Sequence, residues 1–377
     1  MRKYERAHGV YVHVPFCKRK CLYCDFPSQA CADGDLLLRY AKAVCNEIAK
    51  RRVDVADNAT VYFGGGTPSL MPLSGIVDIV ASLKEYGYWR NLKEATIECN
   101  SGTVDREKLQ GYRELGFDRI SFGVQSFNDN ELKTIGRIHN AEQALKAVQM
   151  AKDVGFKRIN ADLMYGLPGQ TLRSLEQSLA QMVALNLEHI SVYSLILEEG
   201  TPLERLVRNK ELTLPDDDLV ADMDELVSGY LCQQGYEQYE ISNFAKAGAY
   251  SQHNLVYWSY LPYVGFGAAA TGFDGYCRRT GAMDVLEYLT NPLAATVEQL
   301  TPDNLYGEFM FMNLRKKWGA NLQDFADRYG EDITQKTLMK MKKCLRNGLV
   351  VYNEEDNRLR LTAKGRNLGN LVFQEFV

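Results

Sequence analysis

The chain has 377 residues, 46% of them hydrophobic, and a net charge of −4 at pH 7. That supplies core for one large domain and a smaller one, and the weakly acidic balance gives no global positive field to draw in nucleic acid or acidic lipid. The charged start Met1–Arg6 shows no signal peptide, no apolar run approaches membrane-spanning length, and nine scattered cysteines suit a reducing cytoplasm better than a disulfide framework.

The first predicted strand is Gly9–Val14. Directly after it come Cys17, Cys21 and Cys24 at C-x3-C-x2-C spacing. A compact loop of this kind can turn three thiolates toward one place, and thiolate is the form that binds soft metals. A closed zinc site wants four ligands, which would recruit His13 or Cys31. A [4Fe–4S] cluster usually takes one cysteine per iron, so three cysteines leave one iron open. The spacing is unusual for zinc, and both readings stand at this point.

The pattern then alternates. A helix is predicted over Leu36–Lys50, a strand over Thr60–Phe63, the turn Gly64-Gly65-Gly66-Thr67-Pro68, and a helix near Ser74–Tyr86. Next come a strand Ala95–Cys99, a helix capped by Asp105 and ending at Leu115, a strand Arg119–Val124, and two helical pieces, Asp129–Ile135 and Ala141–Val154. A strand Arg158–Met164, a helix Leu172–Ala184 and a sixth strand His189–Leu195 complete the series. Six β-then-α units imply an α/β fold with a parallel sheet, helices outside and strands buried on both faces. A partial barrel is expected, with active groups at the C-terminal strand ends.

After Glu198 the rhythm changes. The stretch Leu214–Asp218 caps a helix to about Gln234, and a Gly- and aromatic-rich segment, His253–Gly275, reads as strands and tight turns around a flat ligand or as a turn-rich core. Beyond Thr301, helices over Tyr306–Leu314, Leu322–Tyr329 and Thr334–Arg346 precede a hairpin and a last helix, a winged-helix-like order. With an acidic chain and one dense basic face, this end is not read as a DNA-binding module. The expected division is 1–200, 201–300 and 301–377.

Several polar residues fall near strand ends. Glu98 ends the third strand, Gln125 the fourth, Asp162 lies in the fifth, and Arg137 follows a short helix. In a parallel barrel they would ring one mouth with the cysteine loop. The glycine turn after the second strand allows positive φ and close backbone approach, although it is neither a P-loop nor a dinucleotide fingerprint. Each residue also has an ordinary structural reading: Glu98 as a helix-start charge, Asp162 as a buried hydrogen-bond partner, the glycines as a tight βα turn.

Cys17-x3-Cys21-x-Tyr23-Cys24 resembles the signature of the radical S-adenosylmethionine (SAM) superfamily, and Gly64–Pro68 resembles its SAM-contacting turn. Tyr11-x-His13-x-Pro15-Phe16-Cys17, Gly123-Val-Gln125-Ser-Phe127, Gly136-Arg137-x-His139 and Asp162-Leu-Met-Tyr-Gly166-Leu-Pro168 are similar to a narrower group. That group holds the oxygen-independent coproporphyrinogen III oxidases and a heme-chaperone (HemW) branch. The resemblance implies a partial (β/α)6 radical SAM barrel with an added β-rich segment and a C-terminal helical, winged-helix-like domain. It implies a [4Fe–4S] cluster on Cys17, Cys21 and Cys24, and SAM contacts from Tyr11, Tyr23, Gly65, Gly66, Thr67, Glu98, Gln125, Arg137 and Asp162.

Three features point to the chaperone branch. Phe26 stands where the oxidase pattern has a fourth cysteine, ten residues precede Tyr11 where the oxidase has a long arm, and His253-Asn254-x-x-Tyr257-Trp258 resembles a motif of the chaperones. His253, Tyr257 and Trp258 are thus heme candidates, since imidazole ligates heme iron and aromatics flank a flat ring; taken alone, His253 also reads as a core histidine. The function implied is cytoplasmic heme transfer to an acceptor hemoprotein, including a membrane-associated respiratory enzyme, with no nucleic-acid partner and dimerisation open. The alternative is porphyrin biosynthesis: oxidative decarboxylation of coproporphyrinogen III propionates by a 5′-deoxyadenosyl radical. Which residue would be catalytic is not assigned.

Overall fold

The computed structural model describes residues 6–31 and 33–376; the charged opening over residues 1–5 lies outside it. Seven parallel strands form the centre of a 12-stranded sheet. The first six in chain order are β1 (Ala7–Val14), β2 (Val55–Gly65), β3 (Glu94–Cys99), β4 (Arg119–Gln125), β5 (Arg158–Tyr165) and β6 (His189–Ser194). Each of the first five is followed by helix: α1 (Gly34–Lys50), α2 (Leu73–Glu85), α3 (Arg106–Leu115), α4 (Asp129–Thr134) with α5 (Ala141–Asp153), and α6 (Leu172–Ala184). Local chemistry sets these boundaries. Asp33 accepts from the N–H groups of Asp35 and Leu36 at the start of α1, Asp105 caps α3, and Asn140 closes a capping box on α5.

The seventh parallel strand arrives late in sequence. Tyr263–Phe266 pairs with the outer side of β1, Gly9 opposite Tyr263 and Val12 opposite Phe266. Antiparallel strands Thr271–Phe273, Cys277–Gly281 and Ala295–Gln299 continue that edge. Asn243–Ala245 and Glu237–Gln238 extend the opposite edge beyond β6. The sheet is therefore open, and residues between 201 and 300 contribute to both of its edges.

The strands are not apolar on both faces. Alternate residues Val10, Val12, Val61, Phe63, Ile97, Ile120, Phe122, Ala161 and Ile190 are buried in the main core. The positions between them carry Tyr11, Tyr62, Glu98, Arg119, Ser121, Asn160, Asp162 and His189. This second face is also largely shielded, so its polar groups need partners. Asn160 Nδ2 donates to Ser121 Oγ at 2.8 Å and Asp162 Oδ1 at 2.6 Å, while His189 Nδ1 meets Asn160 Oδ1 at 2.6 Å.

The short helix α7 (Gln252–Trp258) packs against β1 and β2. Its Gln252 and His253 N–H groups both donate to buried Glu94 at 3.0 Å, and Glu94 also pairs with Arg158. A second core gathers Tyr260, Phe273, Phe309, Phe325, Leu359 and Phe373, so the C-terminal part packs on residues 260–273. There, helices Pro302–Leu314, Leu322–Tyr329, Glu331–Lys340 and Lys342–Arg346 meet a three-stranded sheet completed by the hairpin Val350–Asn353 and Arg358–Leu361.

Glu94→Ala leaves Arg158 short of a partner and two N–H groups at the start of α7 unsatisfied. The expected loss is about 3 kcal/mol in urea unfolding. A loss below about 1 kcal/mol would mean that the bonds to Glu94 do not fasten α7 to the sheet.

Candidate functional site

The cysteine loop is fastened at both ends. Phe16–Cys17 pairs in parallel with Gln29–Ala30, and Cys31 N–H donates to Cys17 O at 2.8 Å. His13 Nε2 bonds Pro27 O at 2.9 Å, which makes Nε2 the protonated nitrogen and leaves Nδ1 to accept from Tyr11 OH, also 2.9 Å away. Arg19 Nη2 reaches across to Gly136 O at 2.9 Å and Arg137 O at 3.0 Å, while Leu22 N–H bonds Ile135 O at 3.1 Å.

The glycine turn presses onto this loop. Gly66 N–H donates to Val14 O at 2.9 Å, and a Cβ on Gly66 would stand 2.8 Å from Phe16 O. Gly65 has φ +111°, and a Cβ there would stand 2.5 Å from His13 Cε1. No other residue type fits either position without moving the cysteine loop. The glycines thus bring Thr67 to Cys17, where Oγ1 donates to Sγ at 3.5 Å.

Around these elements lies a cavity of about 580 Å³. Cys17, Cys21, Cys24, Tyr23, Gly65, Gly66, Thr67, Glu98, Gln125, Arg137 and Asp162 all line it. Tyr11 is not among the lining residues; its phenol is spent on His13 beneath the turn. Sequence reasoning missed Ser121, Met164, Tyr193 and Ile196, which also line it. Tyr193 was the most accessible of these: it follows Ser191 by two on the last parallel strand, so the strand period aims both at the same face. Its hydroxyl donates to Gln125 Oε1 at 3.0 Å. Gln125 sits at φ +74°, just past a register shift between β4 and β5, a strained backbone that turns its amide to meet Tyr193.

The charges here are incompletely matched. Desolvation raises the Glu98 carboxyl to about 7, against the hydrogen bond from Tyr62 OH at 2.5 Å, which acts to lower it. Burial also raises Asp162 to about 6, despite Asn160, Arg119 and Arg137 nearby. Arg137 donates through Nη2 to Gly123 O and through Nη1 to Cys21 Sγ at 3.3 Å, and its Nε is buried with no partner. Two carboxyls whose pKa burial raises, beside one spare guanidinium N–H, suit a ligand carrying both an ammonium, which would favour their ionised form, and a carboxylate.

Three thiols lie beside that pair. Among the described residues no three metal-binding side chains already surround a single point; a cubane binds its thiolates at separate irons and not at one point. The mouth carries exposed apolar residues: Phe26 is 62% and Ile196 66% exposed.

His253 lies elsewhere. It is fully buried on α7, with Nδ1 2.7 Å from Thr60 Oγ1 and Nε2 2.8 Å from Tyr257 OH. Its ring stacks on Tyr62 at 4.9 Å, and desolvation, with Arg119 adding, lowers its pKa to about 3. As seated, neither nitrogen is free for iron. Trp258 lies under Arg315, whose guanidinium carbon is 4.4 Å from the ring centroid.

Comparison with known proteins places these features in a family. The radical SAM superfamily model matches residues 11–182, and the HemN C-terminal domain model matches residues 300–368. The chain is 37% identical to the heme chaperone HemW of Bacillus subtilis, covering 98% of this chain and 99% of that one. It is 34% identical to HemW of Lactococcus lactis over 99% and 98% of the two chains. The fold matches the solved coproporphyrinogen III oxidase HemN of Escherichia coli with TM-score 0.83 at 22% identity, over 99% of this chain and 90% of that one. Among the described residues, no helix is long and apolar enough to cross a membrane.

The raised carboxyls set a pH dependence. Folded Glu98 holds its proton to about pH 7, while the unfolded chain releases it near 4.5. On this group the folded state therefore binds more protons between these values, so its contribution to stability falls as pH rises through that window, while the buried histidines, whose lowered pKa acts in the opposite sense, contribute a rise. Urea midpoints of the cofactor-free protein measured from pH 4.5 to 7 should therefore have a more positive slope in Glu98→Gln than in the wild type. An unchanged slope in that variant would show that Glu98 is not held protonated.

Proposed function

The chain belongs to the HemW family within the radical SAM superfamily, and from that premise we propose that it is a heme chaperone that binds a [4Fe–4S] cluster, SAM and heme. Cys17, Cys21 and Cys24 would hold the cluster. Glu98 and Asp162 would meet the ammonium of SAM, Arg137 its carboxylate, and Tyr23 would pack beside it. The turn through Gly65, Gly66 and Thr67 would supply backbone close to the ligand, and Gln125 with Tyr193 would close the far wall. When bound, the cluster supplies one-electron chemistry that no side chain here offers. The observation that carries this reading is one cavity holding three thiols beside an unmatched acid–base pair, in a chain alike to heme chaperones along nearly its whole length.

Heme is the cargo, destined for an acceptor hemoprotein in the same compartment, the cytoplasm. The buried motif His253, Tyr257 and Trp258 acts as a brace while α7 is seated. His253 becomes an axial ligand only when α7 leaves the sheet and gives up its bonds to Thr60, Tyr257 and Glu94.

Anaerobic reconstitution should give a brown protein that dithionite bleaches. Cys17→Ala, Cys21→Ala and Cys24→Ala should each lose that absorbance, while Cys31→Ala should keep it. A colourless zinc protein would end the cluster reading. Heme titration of the reconstituted protein should give a stable Soret complex that passes heme to an apo-hemoprotein; no stable complex would end the chaperone reading. Ligation by His253 predicts faster amide exchange across 252–258 on heme binding. Unchanged protection there, with heme bound, would assign the ligand to another residue.

A further inference from the structure

We propose that Arg137 couples ligand occupancy of the cavity to the reduction potential of the cluster, an inference that rests on the cofactor reading above. Two of the three sulfurs take a hydrogen bond from a side-chain donor: Cys17 Sγ takes Thr67 Oγ1–H at 3.5 Å, and Cys21 Sγ takes Arg137 Nη1–H at 3.3 Å. Only the last donor is charged. Hydrogen bonds to cluster sulfurs are among the factors that set the potential, and a charged donor binds roughly twice as strongly as a neutral one. A positive donor stabilises the thiolate, and it does so most when the cluster holds the additional electron.

The placement of this guanidinium is built in. Its Nη2 is held on Gly123 O. Its own backbone and that of Gly136 receive Arg19, and Leu22 N–H bonds Ile135 O at 3.1 Å. Gly136, at φ +78°, lets the two segments meet, since a Cβ there would stand 2.9 Å from Leu22 Cγ. The arginine and the cysteine it serves are therefore held together through the residues adjoining them.

One donor remains unspent. Arg137 Nε is buried without a partner, and the residue lines the cavity. A buried N–H left unpaired is destabilising, so an acceptor supplied by a ligand is favoured at that atom. A SAM carboxylate on Nε draws on the same delocalised charge that Nη1 directs at Cys21. Occupancy then changes how well the thiolate is stabilised, and by linkage the redox state changes ligand affinity by the same factor. Asp162, Tyr23 and Tyr193 also face Arg137, and none of them contacts Nε.

The test is a redox titration of the reconstituted full-length protein, followed by EPR, with and without SAM. Arg137→Gln should shift the potential to more negative values and shrink the difference between free and SAM-loaded protein. Arg137→Lys keeps the charge without the fork, so its free potential should stay nearer the wild type while the SAM-dependent difference shrinks. Thr67→Val, which removes a neutral donor, should shift the potential less than Arg137→Gln. Equal potentials in Arg137→Gln and wild type, at equal iron and sulfide content, overturn the proposal. Should Arg137→Gln take up no cluster, a full SAM-dependent difference in Arg137→Lys overturns it instead. Failure of the wild type to take up a cluster overturns the cofactor reading itself and is visible separately as absent colour.

Discussion

Everything in this molecule follows from a sheet with one face that is polar and yet largely shielded from water. A buried polar group without a partner costs more than a made hydrogen bond gains. Each layer of the face must therefore find partners, and register decides which residues share a layer. Thr60 stands opposite Glu94, and both are satisfied by α7 through His253 and the adjacent N–H groups. Glu98 stands beside Ser121, Ser121 beside Asn160, and Asn160 beside His189, which closes that row through Tyr239. The last layer, toward the C-terminal ends of the strands, is where the matching stops. Burial raises the pKa of Glu98, at the end of that row, and of Asp162 in the next, and Arg137 keeps an idle N–H. The site is the part of a continuous polar face that the chain itself leaves unfinished.

The thiols join that unfinished layer through backbone contacts that only glycine permits. With Gly66 against the Phe16 carbonyl and Gly65 against the His13 ring, the β2 turn and the cysteine loop form one body. Tyr11 lies outside the cavity for the same reason: its hydroxyl orients His13, and His13 in turn holds Pro27, at the far end of the loop. Its part in the site is to support the loop from below, one hydrogen bond removed from the wall.

Much of this was legible in the sequence. The first six strands and their helices are written in local signals, the Asp105 cap among them, and local signals survive without tertiary context. Chemistry at successive strand ends was legible because a parallel sheet puts those ends together whatever the loops do. Two things were not. The seventh parallel strand is four residues long and pairs with β1 from some 250 positions away, Gly9 on Tyr263, and no local pattern announces a partner that distant. Nor could spacing tell that the strands alternate between apolar and polar sides: runs such as Ile190 to Val192 are short, and Ser or Tyr among them passes as neutral. The position of His253 was undecidable for the same reason, since an imidazole flanked by aromatics suits a heme face and a stacked core equally well.

That histidine's helix also joins the two halves of the chain. One side of α7 reaches the sheet: His253 on Thr60 and Tyr62, with its N–H on Glu94. The other reaches the C-terminal part: Trp258 lies under Arg315, and Ser259 accepts from buried Lys316, whose own residue bridges to Glu240 at the sheet edge. Tyr257 spans the gap, touching His253 at 4.8 Å and Tyr263 at 4.6 Å between ring centroids. A short helix held on both sides by side-chain contacts, with a buried indole N–H that has no partner, is fixed by its neighbours more than by its own seven residues. Whatever unseats it must loosen the strand starts and the C-terminal domain together. α7 thus joins the sheet to the winged-helix-like part beside the second core packed on residues 260–273 and the ion pair of Arg278 with Glu308.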